Sequence, residues 1–192
     1  MTGLNERMKL LILSSKPCLP TLDGGCRASL HLLENALAEN NEVQLITYSS
    51  EKHPFDEKLF DQKWGKKLKV KSIKVKLKTT PLGALMALIR GKNYNLDRFH
   101  SVEFLQALKK TCSTFRPDVL LFDSLFSAAM LKEIQHFSKV KTIVRCHNVE
   151  HSIWEKEALA TSNPLKRVYL RMLAKQLKNE EIKILSQADK VL

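Results

Sequence analysis

His147-Asn148-Val149-Glu150-His151 gathers the residue types that proton transfer and metal binding need. As a pattern, His147-x-x-Glu150-His151 matches the H-x-x-E-H of inverted zinc peptidases, where one helix face presents two imidazoles and the glutamate acts as base. Here, however, a β-branched apolar run from Lys141 to Cys146 leads directly into His147. A strand that ends there keeps the two rings off a shared helical face, and the short remainder of the chain must then supply a third ligand. The preferred expectation is therefore no metal. A histidine at the end of a strand can instead donate a hydrogen bond to a substrate hydroxyl or phosphate oxygen, with Asn148 and Glu150 adding polar contacts. A purely structural alternative makes the segment the N-terminal cap of the next helix.

A second stretch has the makings of an anion site. The apolar run Lys9–Leu13 is followed by Pro17, Pro20 and Asp23-Gly24-Gly25, and a helical pattern begins at Cys26, with Leu30, Leu33, Leu37 and Ala38 on one stripe down to Glu39. A strand, a long loop from Ser14 to Gly25 and a helix start place backbone N–H groups and the helix dipole where an anion can meet them. Two adjacent glycines permit φ > 0 and a close approach of a phosphate to the main chain. Arg27, one turn into the helix, could add a guanidinium. The stretch has neither the Gly-Lys-Ser/Thr of a triphosphate loop nor the G-x-G-x-x-G spacing of a dinucleotide fingerprint. Its bland alternative is a tight turn with a helix start.

The elements that position these residues alternate along the chain. Glu42–Tyr48, Asp118–Phe122 and Lys141–Cys146 read as strands, and Ala188–Leu192 begins one more. Between them, helices are expected over Phe99–Phe115, with Val102, Leu105 and Leu108 facing inward, and from Ser124 through Phe137. A further helix is expected around Ile153–Leu159. The last opens with Asn163 as N-cap and Pro164 in its first turn, and has Leu165, Tyr169, Leu173 and Leu177 on one face. Ile73, Val75 and Leu77 alternate with Lys74, Lys76 and Lys78, which suits a strand at a sheet edge. The order predicts an α/β fold: a three-layer α/β/α, Rossmann-like domain with a mainly parallel sheet over residues 1–192. Ligands in such folds gather at the carboxyl ends of the strands.

Composition narrows the partners. The hydrophobic share of 44% and charged share of 27% are ordinary for a globular protein. No apolar run approaches the roughly 18 residues of a membrane span, and no secretory leader is evident, so the expected location is cytoplasmic. Cys18, Cys26, Cys112 and Cys146 show no C-x-x-C pairing and read as reduced thiols. The net charge of +12 calls for something anionic. Gln62–Leu96 holds no acidic residue and eight lysines between Lys63 and Lys78. With the short apolar helix expected over Pro81–Arg90, the Lys63–Lys92 region reads as either a solvated face or an anionic membrane surface contact. Few aromatics interleave these lysines and no reader motif is present, which disfavours nucleic acid.

Taken in order, the first strand with Pro20-Thr21-Leu22-Asp23-Gly24-Gly25-Cys26-Arg27, the run Arg116–Asp123, the segment Arg145–His151 and the closing Ala188-Asp189-Lys190-Val191 resemble the N-terminal Rossmann-like domain of a family-4, GT-B-type glycosyltransferase. The resemblance implies transfer of a sugar from a nucleotide-sugar donor to a sugar or lipid acceptor with retention of configuration and without a required cofactor or metal. It implies that Gly24, Gly25 and Arg27 meet the donor's phosphates, that His147 is catalytic, and that Asp23, Asn148 and Glu150 contact the acceptor. It also implies peripheral contact with anionic membrane, at the inner membrane surface, through Lys63–Lys92 and Asn163–Lys178. The family's donor-binding second domain, with its paired glutamates, is expected beyond Leu192, so the chain is read as the acceptor half, inactive by itself because transfer needs both walls of a cleft. The alternatives are a stand-alone basic module for membrane or nucleic acid, and the zinc hydrolase.

Overall fold

The computed structural model describes residues 7–75, 87, 93–136 and 139–192. Six parallel strands make one open sheet in the order β3-β2-β1-β4-β5-β6. They are β1 (Lys9–Ser14), β2 (Glu42–Ser49), β3 (Leu68–Lys74), β4 (Val119–Phe122), β5 (Lys141–Val144) and β6 (Lys190–Val191). The strand order reverses between β1 and β4, whose register pairs Leu10 with Val119 and Leu13 with Phe122. The carboxyl ends of these two strands therefore open a crevice at the switch point.

Alternation along the strands builds two apolar layers. Leu11 and Leu13 of β1 join Ile46, Tyr48, Leu120, Phe122 and Val144 on one face, while Ile12 joins Val43, Leu45 and Leu121 on the other. The second face is covered by α1 (Gly24–Ala38) through Leu33 and by α2 (Glu57–Trp64) through Phe60. The first is covered by α3 (Tyr94–Asp97), α4 (Val102–Phe115), α5 (Leu131–Gln135) and, after α6 (Glu150–Ala160), by α7 (Pro164–Leu185). Phe104 of α4 stacks on Tyr48 with ring centroids 4.1 Å apart. This is the three-layer α/β/α arrangement, and the described strands are all parallel.

Local chemistry sets the boundaries. Asp23 caps α1 by accepting from Cys26 N–H, so Gly24 and Gly25 belong to the helix's first turn rather than to the loop. Asp118 Oδ2 accepts from Lys9 N–H at 2.8 Å and pins the start of β1. Asp189 Oδ2 accepts from both Thr142 N–H and Thr142 Oγ1–H at 2.7 Å, tying β6 to β5. Asn163 caps α7 with Pro164 in its first turn, as the sequence predicts. The lysine-bearing β3 lies at the sheet edge, with Lys69, Lys71 and Lys74 exposed.

Several sequence expectations need correction. Two helical stripes fail only at their first residue: Val102 is exposed because Ser101 caps α4 and leaves Val102 in its first turn, while Leu105 and Leu108 pack inward beside Phe104 and Ala107. In α7, Leu165 is exposed and Leu170, Leu173, Ala174, Leu177 and Ile184 form the buried face. On α1, Ala38 is exposed and Cys26, Ser29 and Leu33 are buried. The helix expected from Ser124 is a 3-10 turn, Ser127–Met130, leading into α5. Lys76, Leu77, Lys78, residue 137, and residues 81–92 except Ala87 lie outside the described residues, so the apolar helix and part of the basic region expected there are not described.

Candidate functional site

The crevice at the switch point is a cleft of about 510 Å³, within the range of small-ligand sites. Its lining comes from three strand ends and one helix start. β1 leads into Ser14, Ser15 and Lys16, β4 into Asp123 and Ser124, and β5 through Arg145 and Cys146 into His147, Asn148 and Glu150. Asp23, Gly24 and Gly25 close the fourth side. Of the residues expected from sequence, His147, Gly24, Gly25, Asp23, Asn148 and Glu150 thus line one cleft. Arg27 does not: it is exposed on α1 and absent from the lining, because the cap at Asp23 turns position 27 to the helix's outer side.

His147 is held by Asp123, a residue whose partnership the sequence did not reveal. The imidazole Nε2 lies 3.1 Å from Asp123 Oδ1 and 3.2 Å from the Asp123 carbonyl oxygen. The Asp123 side chain is almost wholly buried, and its Oδ1 also accepts from Arg145 Nη1 at 2.9 Å. Oδ2 is buried without a hydrogen-bond partner among the described residues. The hydrogen bond to Asp123 raises the His147 pKa above its ordinary value, against burial and the Arg145 charge, which oppose it. The ring is therefore biased toward imidazolium, a donor and a positive charge at the cleft wall.

On the opposite wall, Lys16 Nζ lies 2.7 Å from both carboxylate oxygens of Asp23. His53 Nε2 lies 3.1 Å from Asp23 Oδ2. Burial pushes the Asp23 carboxyl up, but the Lys16, Cys26 N–H and His53 hydrogen bonds outweigh it and hold the group well below the usual range. Neither Gly24 nor Gly25 uses a positive φ; among the described residues the glycine that does is Gly65, which ends α2. At Gly25 a Cβ would stand 2.9 Å from Lys16 Nζ, the mobile end of a long side chain that can move aside. Beside Gly24 there is nothing within 4 Å.

Glu150 begins α6 and faces the same cleft. Burial raises its pKa, and the nearby Glu181 carboxylate adds to the effect while Asn148 and His147 oppose it. A carboxyl that keeps its proton longer than usual can exchange it with a ligand hydroxyl.

His151 does something else. Its Nδ1 lies 2.7 Å from Glu181 Oε2 of α7. Glu181 also accepts from the backbone N–H of Glu150 at 3.1 Å and of His151 at 3.2 Å. So a buried carboxylate from another helix caps α6, in place of the self-capping segment of the structural alternative. His147 precedes α6 and His151 lies in its first turn; each ring is bound to a different carboxylate, unlike the paired imidazoles of the H-x-x-E-H helix. A different donor set, Asp23, Cys26 and His53, brings its ligand atoms within 4.8 Å of one another. There the Lys16 ammonium already sits on the carboxylate and Cys26 is fully buried, with burial raising its thiol pKa.

Neither protein-family models nor curated proteins match this chain. The reading of the site rests on its own geometry.

Proposed function

We propose that the cleft binds a phosphate-bearing sugar, and that the chain is the acceptor-side wall of a retaining glycosyltransferase using a nucleotide-sugar donor. The observation that carries the reading is the His147–Asp123 pair at the switch point. A buried carboxylate holds the imidazole through Nε2 and raises its pKa, in a cleft that Gly24 and Gly25 also line. Transfer of a sugar develops negative charge on the leaving diphosphate, and a preorganised donor nearby stabilises it. Hydroxyls suit the same site: Glu150 and Asn148 line it, and the buried Oδ2 of Asp123 lacks a donor among the described residues. No cofactor and no metal takes part in this reading.

The test is a panel of nucleotide-sugar donors offered to the protein as expressed from its complete reading frame, with lipid and glycan acceptors. Donor-dependent release of nucleoside diphosphate, lost in His147→Ala, supports the reading. No release from any donor of the panel overturns it.

A second observation favours contact with anionic lipid at the inner face of a membrane. On α7, Leu165, Val168 and Met172 are 82%, 57% and 44% exposed, and Lys166, Arg171 and Lys175 are exposed along the same helix. Exposed apolar side chains among cations suit a headgroup boundary. Among the described residues no helix is long and apolar enough to cross a membrane. Sedimentation with vesicles containing phosphatidylglycerol checks this reading: Leu165→Ser with Met172→Ser should release the protein, and equal binding to neutral vesicles counts against it.

A further inference from the structure

Lys16 is built into the cleft with more care than a surface lysine needs. Ser14 Oγ donates to the Lys16 carbonyl at 2.7 Å and accepts from Lys16 N–H at 3.4 Å, which fixes the backbone at the end of β1. The side chain then runs back along Gly25, where a Cβ would stand 3.1 Å from Cε and 2.9 Å from Nζ. It ends on both oxygens of Asp23, with the lysine side chain 26% exposed and the aspartate 39%. An ion pair this open to water is readily broken. Lys16 and Glu150 line the same cleft.

We propose that Lys16 is a phosphate-binding residue held in reserve by Asp23. In the empty cleft the carboxylate stands in for the ligand; a phosphoryl group entering the cleft, with more charge and more acceptor oxygens, takes the ammonium from Asp23. The inference rests on the reading of the cleft as a site for a phosphate-bearing ligand, and it gives Asp23 a role opposite to that of an acceptor contact. Asp23 competes with the ligand, so removing its charge tightens binding.

Calorimetry with inorganic pyrophosphate at low salt tests this on the wild type, Asp23→Asn, Lys16→Met and the double variant. Asparagine keeps the α1 cap, so the aspartate variant isolates the charge; Asp23→Ser, also a capping residue, serves if the asparagine variant folds poorly. The expected order is Asp23→Asn tighter than wild type by about 3- to 10-fold and Lys16→Met weaker by about 10-fold or more, in line with loss of a charge-assisted hydrogen bond. The double variant should match Lys16→Met, because the gain at position 23 acts through the lysine. Asp23→Asn binding no tighter than wild type overturns the proposal, as does a gain that persists without Lys16. Absence of pyrophosphate binding in every variant overturns it as well, while donor turnover decides the glycosyl-transfer reading independently.

Discussion

Two histidines four positions apart each pair with a buried carboxylate, yet the pairs do different things. At 2.7 Å, His151 sits on Glu181, whose oxygens are also filled by two backbone N–H groups of α6. Both oxygens have protein partners, and the pair joins two helices. At 3.1 Å, His147 sits on Asp123, which keeps one buried oxygen unpartnered among the described residues and whose neighbours line a cleft. A saturated pair stabilises the fold; an unsaturated one at a strand end is available to a ligand. The contrast teaches that the motif His147-x-x-Glu150-His151 is two sites that share a segment.

Substitutions can break that contrast, and the largest effect is expected at His147. In the protein expressed from its complete reading frame, His147→Ala should lower the proposed glycosyl transfer by about 10²- to 10³-fold, the usual cost of removing a donor aimed at developing charge. Steady-state kinetics checks it, with urea unfolding as a control for the fold. A matching loss in His151→Ala, corrected for unfolded protein, erases the distinction.

Next in size, Glu181→Leu should cost stability rather than activity. It leaves two N–H groups of α6 and the His151 ring without their acceptor, about 2–4 kcal/mol. The urea midpoint should fall while activity per folded molecule stays within a few-fold of wild type.

Both carboxylates illustrate what was legible in the sequence and what was not. Parallel strands announce themselves as continuous apolar runs, as in Val119–Phe122, and the cap at Asn163-Pro164 is a local signal. The edge strand was expected from Lys74, Lys76 and Lys78, of which only Lys74 belongs to β3, while the strand itself runs earlier, over Leu68–Lys74. Where a stripe begins was harder, because Ser101 caps α4 and leaves Val102 exposed in its first turn although Leu105 and Leu108 of the same stripe pack inward. Partnerships across the fold were not legible at all: nothing local links Asp123 to His147 or Lys16 to Asp23. Two signals could have helped. Asp123 ends an apolar strand at the carboxyl edge of the sheet, and Glu181 interrupts the buried period of Leu170, Leu173, Leu177 and Ile184.

A smaller effect is the pH dependence of stability. The Asp123 hydrogen bond raises the folded-state pKa of His147 above 6.5. Its stabilising contribution is therefore fully present below that value and is lost as pH rises through the raised pKa. Urea midpoints of wild type and His147→Gln should converge as the pH is taken upward from about 6, in the range where histidine titrates. Midpoints that diverge over that range contradict the assignment.

The smallest stability change is expected at Gly24. A Cβ there meets nothing within 4 Å, so Gly24→Ala should leave unfolding within about 0.5 kcal/mol of wild type. It should nevertheless weaken pyrophosphate binding several-fold, since the methyl group projects into space that the ligand needs. Unchanged binding removes Gly24 from the site.

The most direct test of the central contrast is a titration of the histidine ring resonances by NMR, with and without pyrophosphate. The account predicts that pyrophosphate raises the His147 pKa further and shifts its ring signals, while those of His151 stay where they are. Equal responses of the two rings, or a His147 ring indifferent to the anion, would contradict it.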